Sequence, residues 1–294
     1  MINLDESISA VTQKYCLLGE RLGHSWSPAI HNTLFRLAGI DAVYMTLSCR
    51  EQYLPSVISV LREDFCGANV TIPYKEKVLP FLDELDETAK ACRAVNTIRC
   101  TKGRLTGYNT DGQGLMRALE DAGIETKGIQ TLILGAGGAA RSAAFQILKR
   151  GGTVRMCSRT PERARKIRND FAQHFENIEK SFEVTIDPSE GIYDLLLNCT
   201  PIGMSPNSNC CPADSALLQR CAAVFDAVYN PPKTQLIHLA EGCGIPSVGG
   251  FGMLFHQAVE SERIWLGELC LAKADIRRVY EEMNRRYTVE KENC

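Results

Sequence analysis

The sequence has no long hydrophobic run, no strong excess of either charge and no internal repeat. Its 294 residues carry 33 basic and 35 acidic side chains, for a formal net charge of −2. This balance gives no reason to expect nucleic acid or an anionic membrane as the main partner. No apolar run reaches the roughly 18 residues that a membrane-spanning helix needs.

The sequence also lacks the cysteine and histidine spacings of metal sites. None of its 13 cysteines forms a C-x-x-C pair, and the five histidines show no ligand spacing. An odd and irregular set of cysteines argues against a disulfide framework and favours a reducing compartment. Asp5 and Glu6 stand where a signal peptide would place basic residues. We therefore expect a cytoplasmic protein without a metal centre.

The length and the hydrophobic content of 45% predict about two domains, each with its own core. Short apolar runs alternate with stretches of helical spacing, which predicts an α/β fold. We expect an N-terminal open α/β domain over residues 1–112, completed by C-terminal helices in 253–294. A Rossmann-type, doubly wound parallel sheet is expected over residues 113–252, with a cleft between the two domains.

The second domain opens with a glycine-rich turn typical of dinucleotide sites. A strand over residues 131–134 leads into Gly135-Ala-Gly-Gly-Ala-Ala140, and a helix follows from Gly138. In this pattern the first glycine permits a tight turn and the second lets the backbone approach a pyrophosphate. Ala140 then allows close packing of helix on strand. Such a turn without any ligand is the alternative interpretation.

Basic residues after the next strand favour NADP over NAD. NAD enzymes usually place Asp or Glu there to accept the ribose 2′-hydroxyl. This chain has Ser158, Arg159 and Thr160 instead, and Arg163 lies one turn into the following helix. A guanidinium at this place could bind a 2′-phosphate through two hydrogen bonds. The alternative is a solvated basic helix, because further basic residues follow directly.

Polar residues of the first domain are candidates for the chemistry. Residues 67–72 predict a buried strand closed by Pro73, which places Lys75 in the first turn of a helix. A cation there meets the positive end of the helix dipole, and this favours the neutral amine that acid–base catalysis can use. A surface lysine is the alternative. A helix is predicted over residues 112–122 with Thr110 or Asp111 as its N-cap, and this is the ordinary interpretation of Asp111 taken alone.

Ser25 and Ser27 stand at the start of a predicted helix that runs to about Leu37. Ser27 is the expected N-cap, with Pro28 as the first helical residue. Paired hydroxyls at a helix start can also hold a carboxylate with help from backbone N–H groups. Together with the dinucleotide turn, these residues suggest hydride transfer without naming a substrate.

Nine short strings match one enzyme family, in the same order and along nearly the whole chain. They are H-S-W-S-P, N-V-T-I-P-Y-K, A-V-N-T, N-T-D-G, G-A-G-G-A, S-R-T-P-E-R, N-C-T-P-I-G-M, D-A-V-Y-N-P and G-M-L-F-H-Q. The chain thus resembles the shikimate dehydrogenase family. The resemblance implies reversible, NADPH-dependent reduction of 3-dehydroshikimate to shikimate in chorismate and aromatic amino-acid biosynthesis. It also implies that Lys75 and Asp111 are the catalytic pair.

The resemblance implies roles for further residues. Ser25 and Ser27 would hold the substrate carboxylate, with Tyr229 over the substrate near it. The substrate ring hydroxyls would be bound by Thr71, Asn96, Asp111 and Gln257. The cofactor would be bound by Gly135, Ala136, Gly137, Gly138 and Ala139 at the pyrophosphate, by Ser158, Arg159, Thr160 and Arg163 at the adenosine 2′-phosphate, and by Thr200, Ala227 and Gly250 near the nicotinamide.

Two departures from the family pattern and two alternatives stay open. Ser158 stands where the family commonly has Asn, and Gly249 stands where it often has Asp or Asn. A quinate/shikimate dehydrogenase that uses NAD or both cofactors is one alternative. A non-catalytic dinucleotide-sensing protein is the other, and the intact Lys75 and Asp111 argue against it. The expected partner is a small-molecule substrate, and both a monomer and a homodimer remain possible.

Overall fold

The structure is a computed structural model that describes residues 8–267 and 272–292. Asp5 and Glu6 lie outside the described residues. Contacts divide the chain into two compact units: Met1–Thr110 with Ala258–Val279, and Asp111–Gln257 with Tyr280–Cys294. These are called the first and second units below. The predicted domain boundaries, which assign all of 253–294 to the first domain, stay a prediction.

The first unit is built on a six-stranded mixed sheet with the order β2-β1-β3-β5-β6-β4. Its elements are β1 (Gln13–Gly19), α1 (Ser27–Leu37), β2 (Ala42–Ser48), α2 (Leu54–Asp64), β3 (Gly67–Val70), β4 (Glu84–Leu85), α3 (Glu87–Cys92), β5 (Thr97–Thr101) and β6 (Arg104–Tyr108). β1 runs parallel to β2 and β3, whereas β5 runs antiparallel to β3 and β6. Side chains from β1, α2 and β3 share one buried core.

Two local predictions for the first unit are wrong. Trp26 occupies the N-cap position of α1, so Ser27 is the first helical residue. Residues 72–78, all within the described part of the chain, form turns instead of a helix. The Lys75 carbonyl accepts the Val95 N–H at 2.8 Å, so this acceptor is engaged outside any helical ladder. Lys75 therefore does not lie at the N-terminus of a helix, and no helix dipole favours its neutral amine.

The second unit is built on a fully parallel six-stranded sheet with the order β12-β11-β10-β7-β8-β9. Its elements are α4 (Asp111–Asp121), β7 (Gln130–Leu134), α5 (Gly138–Lys149), β8 (Thr153–Cys157), α6 (Pro161–Phe171), α7 (Ile178–Ser181), β9 (Phe182–Thr185), β10 (Leu195–Asn198), α8 (Ser215–Leu218), β11 (Val224–Asp226), α9 (Gln235–Gly242) and β12 (Ser247–Val248). The helices α10 (Gly250–Leu266) and α11 (Lys273–Glu292) contribute residues to both units.

The predicted doubly wound parallel sheet is confirmed. From β7 the chain continues to β8 and β9 on one side, then returns to build β10, β11 and β12 on the other. The strand order therefore reverses between β7 and β10, which is where open α/β sheets bind ligands at the carboxyl ends of their strands. Within the described residues, no helix combines the length and the apolar content that crossing a membrane requires.

Candidate active site

The glycine-rich turn lies at this reversal point. Gly135 directly follows β7 and has a φ of +104°, a backbone conformation that favours glycine. A Cβ on it would also lie 3.1 Å from the Cys199 carbonyl oxygen, at the end of the neighbouring β10. The tight turn predicted for the first glycine is therefore present, and only a residue without a side chain fits it without strain.

The other residues of the turn leave room at the N-terminus of α5. Gly137 is the N-cap of this 12-residue helix. A Cβ on Gly137 or Gly138 would meet no atom of the described residues within 4 Å. Ala140 is fully buried, in agreement with close packing of α5 on the sheet. Unpaired N–H groups at a helix start attract anions, so this geometry fits a dinucleotide pyrophosphate.

A hydrogen-bond network connects the loops after β10 and β11. The Asn198 side-chain oxygen accepts from the Thr200 N–H at 3.0 Å and from the Thr200 hydroxyl at 2.7 Å. The Asn198 amide donates to Asp226 Oδ1 at 2.9 Å. The Ala227 N–H donates to the Asn198 backbone oxygen at 2.9 Å. Two of the predicted nicotinamide residues, Thr200 and Ala227, are thus held by the same asparagine.

Asp226 is a buried carboxylate that the sequence reasoning missed. Its oxygens accept from Asn198, from the Val228 N–H at 3.0 Å and from the Thr234 hydroxyl at 2.6 Å. Burial raises the pKa of the Asp226 carboxyl, although these three hydrogen bonds act in the opposite direction. Asp226 begins the string D-A-V-Y-N-P, and its place at the end of a buried strand was the available signal.

Three further predicted residues lie in the second unit: Gly250, Tyr229 and Gln257. A Cβ on Gly250 would lie 2.5 Å from the Ala227 carbonyl oxygen, so the start of α10 touches that loop through backbone alone. Tyr229 is 40% exposed, and its carbonyl accepts from the Tyr287 hydroxyl. The buried Gln257 amide donates to the Leu254 carbonyl at 2.9 Å.

The predicted 2′-phosphate site lies between β8 and α6. The Ser158 hydroxyl accepts from the Thr160 N–H at 3.2 Å and closes the turn that leads into α6. The side chains of Arg159 and Arg163 are exposed. Arg165, in contrast, is ion-paired with Glu162 at 3.2 Å. The local geometry therefore presents two exposed guanidinium groups after the end of β8.

In the first unit, three predicted residues lie on adjacent segments at the carboxyl end of β3. Thr71 follows β3 and donates its N–H to the Leu18 carbonyl at 2.9 Å. The Lys75 carbonyl is bonded to Val95, the residue that precedes Asn96. Asn96 in turn accepts the Val70 N–H at its backbone oxygen, at 2.8 Å. The fold thus brings the backbone segments that carry Thr71, Lys75 and Asn96 side by side, although these residues span 26 positions of sequence.

Asn96 is 2% exposed, and its side chain contacts the residue before Asp111. Its oxygen accepts the Thr110 N–H at 2.8 Å, and its amide donates to the Thr110 hydroxyl at 2.9 Å. Asp111 comes next in the chain and begins α4 with its side chain largely buried. Asn96 therefore holds the peptide that leads into Asp111.

The two candidate carboxylate-binding serines are neighbours at the start of α1. The Ser25 hydroxyl accepts the Ser27 N–H at 3.2 Å. Ser27 is buried and hydrogen-bonds with Tyr44, whereas Ser25 is partly exposed. Among the described residues, no group of three or more His, Cys, Asp or Glu side chains could hold a metal ion.

Known proteins resemble this chain in both sequence and structure. Residues 17–98 match the family described as the shikimate dehydrogenase substrate binding domain. A shikimate dehydrogenase (NADP(+)) of Methanothermobacter thermautotrophicus is 40% identical over 265 residues, which are 88% of this chain and 93% of that protein.

Two solved structures cover almost the whole chain. Shikimate 5-dehydrogenase from Thermus thermophilus, in complex with NADP(H) and shikimate, is 31% identical with a TM-score of 0.83, covering 94% of this chain and 99% of that one. Shikimate 5-dehydrogenase from Listeria monocytogenes, in complex with shikimate and NAD, is 29% identical with a TM-score of 0.83. That match covers 92% of this chain and 97% of the other.

Proposed function

The chain belongs to the shikimate dehydrogenase family, and we propose that its Lys75 and Asp111 carry out the reaction of that family. It is an NADP-dependent oxidoreductase that interconverts shikimate and 3-dehydroshikimate. The observation that carries the residue assignment is the convergence of Thr71, Lys75 and Asn96 at the carboxyl end of β3. Asn96 then connects this group to the peptide before Asp111.

Lys75 and Asp111 are assigned to the hydroxyl that becomes a carbonyl. When bound, NADP supplies the hydride acceptor, and NADPH the hydride donor. In the direction of reduction, negative charge develops on the carbonyl oxygen, and a proton donor within hydrogen-bond reach stabilises it. We assign this proton to the Lys75–Asp111 pair as a unit, because the family resemblance gives both residues to the same hydroxyl of the substrate. In the direction of oxidation the same pair accepts the hydroxyl proton.

The substrate contacts are assigned to polar residues of both units. Ser25 and Ser27 would bind the carboxylate, supported by their adjacent placement at the start of α1. Thr71, Asn96 and Gln257 would bind ring hydroxyls, and Tyr229 would lie near the carboxylate. We further propose that Gly135–Ala139 bind the pyrophosphate, since a pyrophosphate fits the open N-terminus of α5.

The adenosine 2′-phosphate is assigned to the segment Ser158–Arg163. The exposed guanidinium groups of Arg159 and Arg163 support this assignment, because a guanidinium can bind a phosphate with two parallel hydrogen bonds. Thr200, Ala227 and Gly250 are assigned to the nicotinamide end. A reducing compartment, the cytoplasm, is proposed because all eleven cysteines of the described residues are free thiols.

The test is turnover by the purified chain, followed at the absorbance band of reduced nicotinamide. Four mixtures pair shikimate or quinate with NADP or NAD. We expect fast turnover only with shikimate and NADP. Turnover of quinate, or a preference for NAD, would move the chain to the quinate/shikimate alternative. Dinucleotide binding by folded protein without turnover in any mixture would contradict the proposed catalytic roles.

A further inference from the structure

Asn96 belongs to a cluster of buried polar side chains in the first unit. Its members come from five segments and are all less than 5% exposed: Tyr44, Asn69, Asn96, Thr97, Thr110 and Ser261. Buried polar groups cost free energy unless each finds a partner, so a cluster of this kind is either well satisfied or strongly destabilising. Here the side chains bond with one another.

Asn69 holds the centre of this cluster. Its side-chain oxygen accepts from the Tyr44 hydroxyl at 2.8 Å. Its amide nitrogen lies within 3.1 Å of three acceptors: the Asn96 backbone oxygen, the Thr97 hydroxyl and the Ser261 hydroxyl, the last at 2.9 Å. An amide has two hydrogens for these three oxygens, so the three acceptors compete for them.

Ser261 contacts the hydroxyls of the cluster as well as the Asn69 amide. The Thr97 hydroxyl lies 2.9 Å from the Asn96 side-chain oxygen, to which it donates. The Ser261 and Thr97 hydroxyls lie 2.8 Å apart, in a hydrogen bond in which either oxygen can be the donor. The Ser261 hydroxyl lies also 3.4 Å from that of Thr110. One serine of α10 thus contacts the partners that orient the Asn96 side chain.

We propose that Ser261 is a positioning residue for the substrate site, acting through Thr97 and Asn69 on Asn96 and the Thr110–Asp111 peptide. This inference rests on the proposed function, since it takes Asn96 and Asp111 as the groups that meet the substrate. Loss of the Ser261 hydroxyl removes one hydrogen-bond partner of Thr97 and one acceptor of Asn69. Thr97, whose hydroxyl donates to the Asn96 side-chain oxygen, is then held by fewer partners, although no group that contacts the substrate has been removed.

The test compares Ser261→Ala with Ile58→Val, which removes one methyl group from the core around α2. Both variants are expected to lower the melting temperature by a similar amount. For Ser261→Ala we expect kcat/KM for shikimate to fall roughly three- to tenfold, the range of one buried hydrogen bond. KM for NADP should stay unchanged. Ser261→Cys, which keeps a weak donor, should recover part of the loss.

The outcomes separate the two proposals. Wild-type kinetics in Ser261→Ala, alongside normal turnover by the parent chain, would overturn the positioning role alone. An equal fall in kcat/KM for Ile58→Val would also overturn it, because general loosening would then explain both variants. Failure of the parent chain to oxidise shikimate would overturn the proposed function and the positioning role with it.

Discussion

The two units build their parts of the candidate site in different ways. In the second unit, the parts of the proposed cofactor site that would meet phosphate groups consist of backbone and exposed side chains: an open glycine turn at α5 and the exposed Arg159 and Arg163. In the first unit, Ser27 and Asn96 are buried and hydrogen-bonded to neighbours that are themselves buried. A substitution at an exposed position affects mainly that position. A substitution in a buried hydrogen-bond network also changes the hydrogen bonds of the neighbouring side chains.

This difference predicts which properties a substitution changes in each unit. Changes in the cofactor site should alter dinucleotide affinity with little effect on stability, because the side chains concerned contact few partners. Changes in the buried network should alter stability and substrate kinetics together. Lys75 is the informative exception, since it belongs to the first unit but lies in a partly exposed turn.

The largest effect is expected at Lys75. Lys75→Ala should lower kcat by about 10²–10⁴-fold, the usual contribution of a positioned proton donor, with unchanged NADPH binding. Steady-state rates and a fluorescence titration of NADPH would measure the two quantities. Lys77→Ala is the matched control, because Lys77 lies two residues away and pairs with Glu51 on the surface. Loss of NADPH binding by folded Lys75→Ala would contradict the assignment.

The next effect concerns the open space at α5. Gly137 has a φ of −97°, which any residue can adopt, and a Cβ there has open space around it. Gly137→Val should therefore fold normally, yet raise KM for NADP roughly tenfold or more by occupying the proposed phosphate space. Gly242→Val, at the equally open end of α9, is the control. Equal KM values in the two variants would mean that no phosphate lies at Gly137.

A smaller effect is expected for the choice between NADP and NAD. Arg159→Ala should lower kcat/KM for NADP roughly tenfold, about the value of one charge-assisted hydrogen bond, and leave that for NAD unchanged. Arg165→Ala provides the comparison, because Arg165 is paired with Glu162. If Arg159→Ala lowers kcat/KM equally for NADP and for NAD, the guanidinium does not bind the 2′-phosphate.

The same contrast explains what could be predicted from the sequence. The glycine turn and α5 depend on local spacing, and the predicted start of α5 at Gly138 agrees with the structure. The prediction of a helix at Lys75 was wrong because the Lys75 carbonyl, which a helix would use, accepts a hydrogen bond from the distant Val95 N–H. The pairing of Asn69 with Ser261 spans 192 positions, and no local pattern indicates it.

α3 was missed for a different reason. It has six residues, too few for a clear helical spacing of apolar side chains, and it follows the two-residue β4. Its N-cap Asp86 accepts from the Ala89 N–H at 2.8 Å, a local signal that was present in the sequence. The family strings located the candidate site residues, but the partners that orient them are found only in the folded chain.

A separate prediction concerns the stability of a buried pair in the first unit. Glu262 follows Ser261 on α10, and its carboxyl oxygen lies 2.9 Å from His31 Nδ1, with both side chains fully buried. The His31 ring stacks on Tyr44 with centroids 4.1 Å apart. Burial raises the pKa of Glu262 to about 9 and lowers the pKa of His31 to about 3. We therefore expect both groups to be neutral in the folded chain near pH 7.

The two groups change stability in opposite directions with pH. Glu262 binds its proton more tightly when folded, so its contribution is complete below its ordinary pKa of 4.5 and is lost as pH rises towards about 9. His31 binds its proton less tightly when folded, so its contribution grows as pH rises from about 3 to its ordinary 6.5. Between pH 6.5 and 9, Glu262 is the one of these two groups whose titration still lowers the free energy of unfolding as the pH rises.

Urea unfolding of the parent chain and of Glu262→Gln at several pH values between 6.5 and 9 measures this decline directly. The parent chain should lose stability across this window, and the variant, which cannot ionise at this position, should lose less. Glu282→Gln is the control: its exposed carboxyl has a lowered pKa because of Arg286, so its own titration lies below the window. Parallel pH curves for the parent and Glu262→Gln would show that Glu262 is already ionised at pH 6.5. The buried side chains of the first unit would then include a charge, and the contrast with the exposed charges of the cofactor site would be weaker.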